Sequence, residues 1–116
     1  MRGDVVIVDF PFAEGGGSKV RPALVVQVDG LRTLNLILEM ITSVVSRGGP
    51  SRALIDPSDP SESRSGLRMP SLVLCDQLFS IRRDRILRII GHVSPMSMGR
   101  VENSLRIALG LDGNPT

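Results

Sequence analysis

The chain has 116 residues, a formal net charge of +2 and a mean hydropathy of +0.14. These values suit one folded domain with an ordinary core, and no apolar run is long enough to span a bilayer. Its one cysteine, Cys75, excludes an intramolecular disulfide and argues against a cysteine-based metal site. Since no apolar signal region precedes the first strand, we expect a cytoplasmic protein.

The first half of the chain predicts four short strands. Apolar, β-branched runs place them at 5–8, 23–28, 34–41 and 52–55. Val44 and Val45 continue the third strand in this prediction. A Gly-rich segment at 13–18 predicts a mobile loop, and Asp29-Gly30 predicts the turn of a hairpin.

The second half predicts two strands and one helix. A polar surface loop at 56–66 precedes strands at 71–78 and 86–93, which a helical turn at 82–85 separates. Gly91 indicates a bulge or a close backbone contact in the last strand. Ser94 as N-cap, Pro95 at the first helical position and Gly110 as C-cap delimit the helix. Its apolar stripe comprises Met98, Val101, Leu105, Ala108 and Leu109.

These elements predict a mainly β fold with a C-terminal helix. Several short strands joined by turns suggest a strongly bent antiparallel sheet or a partly closed small barrel, whose open edge or end the helix covers. Parallel crossovers are excluded because no helix separates the early strands. We expect one domain over residues 1–111 and a loose tail over 112–116.

Arg21 is the most distinctive candidate for chemistry. It follows the Gly-rich loop and immediately precedes Pro22, which fixes its own φ and biases Arg21 toward an extended backbone. A guanidinium is a planar, permanently charged fork that matches phosphate. Lys19 is the only lysine among fourteen basic residues, and this arginine bias is explained equally by phosphate binding or by a GC-rich genome.

Other familiar site types find little support in the residues. The single histidine, His92, lies in a strand pattern, where local pairing is its expected role, and no strained nucleophile motif surrounds any serine. The Gly15-Gly16-Gly17 loop lacks P-loop spacing and leads into a strand. Cys75 is expected to be a small core residue, and no metal or cofactor is expected. Phosphodiester transfer within RNA needs few protein groups, because the RNA supplies its own 2′-hydroxyl nucleophile.

The sequence resembles the MazF/PemK family of toxin endoribonucleases along nearly its whole length. The residues that carry the resemblance are Arg2-Gly3-Asp4-Val5-Val6, Val8-Asp9-Phe10, Arg21-Pro22-Ala23-Leu24-Val25-Val26, Ile41-Thr42-Ser43, Leu72-Val73-Leu74-Cys75-Asp76-Gln77-Leu78 with Ile81, Val101-Glu102 and Ile107-Ala108-Leu109. The resemblance rests on the order of these segments together, since no single one is diagnostic.

The resemblance implies an SH3-like or CcdB-like barrel that forms a homodimer. It implies metal-independent cleavage of single-stranded RNA at short sequences, leaving a 2′,3′-cyclic phosphate and a 5′-OH. It also implies a cognate antitoxin whose disordered, often acidic tail blocks the RNA groove.

The resemblance implies catalytic roles for Arg21 and Thr42. Arginine is a poor base, so its chemistry favours phosphate binding and charge stabilisation, whereas a proton-transfer role rests on the resemblance alone. RNA contacts are expected at Glu14, Lys19, Ser43, Arg68 and Gln77. Alternatively, Glu14 and Arg68 are solvated surface charges, and Gln77 is a structural amide that bridges two strands.

A basic cluster, Arg82, Arg83, Arg85 and Arg88, has three interpretations: contact with RNA backbone, contact with an acidic antitoxin, or a solvated turn. Two other functions remain open for the whole chain. One is a non-enzymatic, CcdB-like toxin that traps DNA gyrase, and the other is a catalytically silent binding barrel. Both predict intact RNA, and only the first predicts growth arrest.

Overall fold

A computed structural model describes residues 1–11 and 17–111. Within these residues the chain forms six strands and one helix: β1 (Asp4–Pro11), β2 (Ser18–Val25), β3 (Asn35–Thr42), β4 (Arg52–Ile55), β5 (Ser71–Arg82), β6 (Ile86–His92) and α1 (Pro95–Leu109). Three short 3-10 turns lie at Val45–Arg47, Pro60–Glu62 and Arg83–Arg85. In this part of the chain, no helix is long and apolar enough to cross a membrane.

The six strands form one sheet in the order β4-β5-β3-β2-β1-β6, and every neighbouring pair is antiparallel. The prediction of a mainly β fold with a C-terminal helix is confirmed. The sheet does not close into a barrel, because β4 and β6 form its two edges.

Apolar side chains cover both faces of the sheet, since alternate residues of a strand point to opposite sides. One cluster, built around Val5, Leu24 and Val73, includes Met98 and Val101 of α1. The helix therefore covers this face, where it packs against β4 and β5. A second cluster, built around Val8, Ala23 and Leu38, lies on the opposite face.

The second face is concave. Phe10 on β1 and Phe79 on β5 meet edge to face, with ring centroids 5.1 Å apart and an interplanar angle of 79°. Strands β2 and β3 lie between β1 and β5 in the sheet. Such a contact between separated strands requires strong bending, which confirms that part of the prediction.

The predicted ends of α1 are confirmed. The Ser94 hydroxyl accepts a hydrogen bond from the Ser97 amide at 3.1 Å, and Gly110 adopts the left-handed conformation (φ +69°) that favours glycine. The apolar stripe is buried only in part: Leu105 is half-buried, and Ala108 and Leu109 are exposed.

Gly91 confirms the predicted close contact in β6. A side chain at this position would collide with the backbone of Arg64 and Ser65, and the β1–β6 register shifts at the same point. The polar loop that links β4 to β5 is thereby packed against β6. This loop carries Arg68, so its position matters for the site described below.

Several predicted strand boundaries are wrong. Strand β1 continues to Pro11 instead of ending at Val8, and β2 ends at Val25 instead of Val28. Strand β2 begins at Ser18 instead of Ala23, because the backbone of Lys19 and Arg21 pairs with Phe10 and Val8 of β1. Val44 and Val45 do not continue β3, since the chain turns into a 3-10 turn. Strand β5 extends beyond Leu78 to Arg82, because β3 supplies pairing partners as far as that residue. The loop tip with Glu14 and the predicted tail at 112–116 lie outside the described residues.

Candidate active site

Arg21 and Thr42 approach each other at the open end of the concave face. The β2–β3 pairing places Ala23 opposite Met40, and Arg21 and Thr42 each lie two residues beyond that pair on the same face. Both side chains are half-buried, and both line one cavity of about 480 Å³. The structure therefore brings together the two residues predicted to be catalytic.

The Thr42 hydroxyl is oriented by its own backbone. Its oxygen accepts a hydrogen bond from the Val44 amide at 3.2 Å. This bond forms because the chain turns sharply after β3 instead of continuing as a strand. A hydroxyl has one proton and two acceptor lone pairs. The proton therefore remains available to donate into the cavity.

The Arg21 guanidinium has no carboxylate partner within the described residues. Its backbone is held in β2 opposite Val8 of β1. A permanent charge on a fixed strand, half removed from solvent, attracts anions more strongly than one on a mobile loop. The cavity is suited to binding a phosphate group.

Two further cavities adjoin the first one, and together the three form a groove. Arg21 also lines a cavity of about 260 Å³ with Lys19, Phe10 and Phe79. Thr42 also lines a cavity of about 250 Å³ with Arg47, Arg52 and Gln77. Arg21 and Thr42 thus stand where the central cavity meets its neighbours on either side.

Most of the predicted RNA-contacting residues line this groove. Ser43 and Arg68 lie in the central cavity, Lys19 lies on the Arg21 side, and Gln77 lies on the Thr42 side. All four are exposed. Glu14 lies outside the described residues. The structure reports the positions of these side chains, and their roles in binding remain predictions.

Gln77 reaches the groove through an irregularity in β5. Glu39 pairs with Leu78 while the next residue, Met40, pairs with Leu74, so residues 75–77 have no partner on β3. Such bulges often redirect side chains beside active sites. This bulge could not be predicted from the sequence, because residues 72–75 form an uninterrupted apolar run with no Gly or Pro to mark an irregularity.

Two arginines of the groove were not predicted. Arg47 lies on the 3-10 turn after β3, and Arg52 begins β4. In the described part of the groove, Lys19, Arg21, Arg47 and Arg68 have no carboxylate partner, whereas Arg52 pairs with Asp76 at 3.2 Å. Only the packing of three separate chain segments brings these charges together, so sequence spacing carries no signal for them.

His92 and Cys75 lie away from the groove, in agreement with their predicted roles. His92 Nδ1 lies 2.9 Å from Asp4 Oδ1, and Asp4 Oδ2 accepts a hydrogen bond from the N-terminal amine at 3.0 Å. Burial would raise the pKa of Asp4, but the His92 and N-terminal contacts outweigh it and lower the pKa. Cys75 is completely buried, and burial raises the pKa of its thiol far above the ordinary value.

The basic cluster after β5 is largely engaged by its own surroundings. Arg82 pairs with Asp84 at 2.8 Å, Arg83 donates to the Thr33 carbonyl at 2.8 Å, and Arg85 lies 3.6 Å from Asp9. For Arg82, Arg83 and Arg85 these contacts favour the third interpretation, a surface turn.

The chain matches known proteins along nearly its whole length. Residues 1–109 match the sequence profile of the PemK-like, MazF-like toxins of type II toxin–antitoxin systems. The chain is 32% identical over 114 residues to endoribonuclease EndoA of Bacillus subtilis strain 168, covering 95% of this chain and 94% of that protein.

Solved structures share the fold. An endoribonuclease from a mycobacterial species, in complex with its cognate antitoxin, superposes with a TM-score of 0.74 at 25% identity, over 96% of this chain and 95% of the other. A MazE–MazF structure from Deinococcus radiodurans gives a TM-score of 0.68 at 23% identity, over 94% and 93% of the two chains, and supports the fold alone. The chain therefore belongs to the family of PemK-like and MazF-like toxins of type II toxin–antitoxin systems.

Proposed function

We propose that this protein is an endoribonuclease toxin that cleaves single-stranded RNA in the groove around Arg21 and Thr42. The observation that carries the proposal is their meeting in one cavity: an arginine without a carboxylate partner in the described structure, beside a hydroxyl oriented to donate. The endoribonuclease names of the similar proteins support the same reaction and give no support to a gyrase-trapping function.

The reaction proposed is transfer of the phosphodiester from the 5′-oxygen to the neighbouring 2′-oxygen. The 2′-oxygen forms a bond to phosphorus, the bond from phosphorus to the 5′-oxygen breaks, and the 2′-hydroxyl loses a proton while the 5′-oxygen gains one. The products are a 2′,3′-cyclic phosphate and a 5′-hydroxyl. This step needs positioning of the phosphate and stabilisation of its charge.

Arg21 and Thr42 supply those two requirements. The guanidinium of Arg21 donates two parallel hydrogen bonds to nonbridging phosphate oxygens and offsets the charge that grows on them. The Thr42 hydroxyl donates a third hydrogen bond. A guanidinium keeps its protons in proteins, so stabilisation of charge is the role that its chemistry favours for Arg21.

The surroundings of the pair suit an unpaired RNA strand. Lys19, Arg47 and Arg68 line the same groove as exposed cations that can follow a phosphate backbone. Phe79 presents a partly exposed ring beside Arg21, where a splayed base can stack. A paired helix would hide its bases from this ring.

The proposed partners follow from the family. A cognate antitoxin with a disordered, acidic tail would occupy the same cationic groove, and the mycobacterial relative is described in complex with its antitoxin. We also propose that the protein acts in the cytoplasm as a homodimer, with residues 1–111 as its single domain.

Cleavage of a single-stranded RNA in EDTA tests the proposal. The wild type should cut it, and Arg21→Ala and Thr42→Ala should each lose roughly 100-fold or more, which is typical for removal of one charge-stabilising donor. Thr42→Ser retains the hydroxyl and should keep most of the activity. Arg88→Ala removes an exposed charge on β6 outside the groove and should cut as the wild type does.

Circular dichroism must show that each variant is folded. Wild-type cutting rates for folded Arg21→Ala and Thr42→Ala would refute the site, while intact RNA with the wild-type protein would refute the activity. Growth arrest with intact RNA would instead favour a non-enzymatic toxin.

A further inference from the structure

The cavity on the Thr42 side of the groove has the chemistry of a base-reading pocket. Its volume is about 250 Å³, and its polar lining consists of Thr42, Arg47, Arg52 and Gln77, with Val44 and Leu74 as its apolar walls. Because Thr42 belongs both to this pocket and to the central cavity, a nucleotide in the pocket would adjoin the phosphate held there.

The guanidinium of Arg52 is held in this pocket by two hydrogen bonds. One terminal nitrogen donates to the Arg47 carbonyl at 2.7 Å, and the other donates to Asp76 Oδ2 at 3.2 Å. Its side chain is only 21% exposed. The guanidinium therefore has one fixed position at the start of β4, with further N–H groups left over, since an arginine has five.

We propose that Arg52 reads a guanine next to the scissile phosphate, and this inference rests on the proposed function. The commonest specific contact of arginine with a base is the paired donation to O6 and N7 of guanine. No other RNA base presents two acceptors side by side on its Hoogsteen edge. Cytosine presents O2 and N3 on its Watson–Crick edge, so enrichment of cytosine instead of guanine beside the cut would overturn the inference. An arginine held by a carbonyl and a carboxylate loses little entropy when it makes this contact.

The charge balance favours a base over a phosphate as the partner of Arg52. Asp76 lies 3.2 Å from its guanidinium and offsets its charge, whereas Arg21 and Arg68 have no such partner in the described chain. A phosphate gains most from an uncompensated cation, while a base edge needs directed donors and little net charge. Asp76 acts in this account as a positioning residue, which aims Arg52 without touching the RNA.

Sequencing of RNA ends tests the inference. A randomised single-stranded RNA is incubated in EDTA with the wild type, Arg52→Lys, Asp76→Asn and the control Arg88→Lys. The wild type should enrich guanine at one position adjoining the cut. Arg52→Lys keeps the charge but loses the fork, so this preference should fall roughly tenfold or more. The total amount of cutting and the base preferences at the other positions around the cut should stay the same.

The outcomes separate the possibilities. A wild type that cuts without guanine beside the cut overturns the inference, as does a folded Arg52→Lys protein that keeps the preference. A uniform loss of cutting at unchanged sequences would assign Arg52 to the phosphate backbone and also overturn it. If Arg52→Lys does not fold, the guanine preference of Asp76→Asn tests the inference instead. Without Asp76 the Arg52 side chain is less well positioned, so the preference should fall, and an unchanged preference would overturn the inference. No cutting by the wild type would refute the proposed function itself.

Discussion

At the scale of single residues, the concave face and the helix-covered face of the sheet place two polar groups in opposite situations. Thr42 is half-buried at the mouth of a groove, where its hydroxyl proton has no partner among the described residues. Glu39, three residues earlier, is fully buried, and neither carboxylate oxygen has a hydrogen-bond partner within the described residues. One polar side chain of β3 thus lines the groove, and the other is buried on the opposite face.

Burial raises the pKa of Glu39 to about 7, although the charge of Arg2 lowers it, and Asp76 raises it further. The unfolded chain ionises near the ordinary value of 4.5. The contribution of Glu39 to stability is therefore most favourable where its carboxyl group is neutral in both the folded and the unfolded state. Stability is lost as the pH rises from about 4.5 through about 7, by roughly 3 kcal/mol in total.

Glu39→Gln should flatten this pH dependence, because an amide keeps the shape of the neutral acid and does not ionise. Urea unfolding at pH 5 and pH 8 measures the free energy of unfolding at each pH. The difference between these two free energies should be smaller by about 2–3 kcal/mol in the variant than in the wild type. Equal differences in the variant and the wild type would show that Glu39 does not titrate in the folded protein as described.

The sequence predicted Arg21 and Thr42 but not Glu39, for physical reasons. Arg21 was recognisable because Pro22 and the Gly-rich loop flank it, and Thr42 because the family resemblance marks it. Without that resemblance Thr42 would be an ordinary β-branched strand residue. Glu39 places one charge in a largely apolar strand. The neighbouring residues do not indicate which face of the sheet its side chain lies on.

At the scale of elements, helix α1 and the β4–β5 loop hold each other in place. Glu62 of the loop is buried and accepts hydrogen bonds from the Ser94 amide at 3.0 Å and from the Ser94 and Ser97 hydroxyls, both at 2.6 Å. Its carboxylate thus caps the positive N-terminus of α1. The same loop delivers Leu67, Arg68 and Met69 to the groove.

Burial alone would raise the pKa of Glu62, but the hydrogen bonds from Ser94 and Ser97 outweigh it and lower the pKa. Its contribution to stability is therefore present above the ordinary pKa of 4.5 and is lost as the pH falls through the lowered value. The contribution of Glu62 to stability thus increases with pH, whereas that of Glu39 decreases with pH.

Glu62→Gln should destabilise the protein by about 1–3 kcal/mol at pH 7, because charged acceptors form the stronger hydrogen bonds. Urea unfolding should show this deficit shrinking toward pH 3. Glu102→Gln, on helix α1, removes a partly exposed ion pair with Arg2 and should change stability by less than about 1 kcal/mol. An equal effect of the two variants would contradict the capping role of Glu62.

The elements were predictable where their signals are local. The ends of α1 follow from Ser94, Pro95 and Gly110, and β4 was predicted to the residue. The start of β2 was not, because pairing with β1 overrides the polar character of Ser18 and Lys19. The bulge at 75–77 was missed for a similar reason, since only the register against β3 creates it.

At the scale of the whole molecule, a nearly neutral protein concentrates unpaired cations on one surface. The net charge is only +2, but Lys19, Arg21, Arg47 and Arg68 line one groove with no carboxylate partner among the described residues. The bent sheet produces this arrangement by bringing β2, the turn after β3 and the β4–β5 loop to one side.

Binding of a non-cleavable, 2′-O-methyl single-stranded RNA should therefore weaken steeply with salt. Each cation that contacts a phosphate contributes about 0.7 to the slope of log K against log salt concentration. Arg47→Ala and Arg68→Ala should each lower that slope by roughly this amount, and Arg88→Ala should leave it unchanged. If both groove variants kept the wild-type slope, the RNA phosphate backbone would not bind along this groove.

The most direct test of the whole account concerns the nucleophile. An RNA that carries the preferred cleavage sequence is prepared with one 2′-deoxy nucleotide on the 5′ side of the scissile phosphate, and the unmodified RNA serves as control. With wild-type protein in EDTA, the control should yield a 2′,3′-cyclic phosphate and a 5′-hydroxyl, and the modified RNA should stay whole at that bond. Cleavage of the modified bond would contradict the account, because water or a protein group would then have to attack the phosphate.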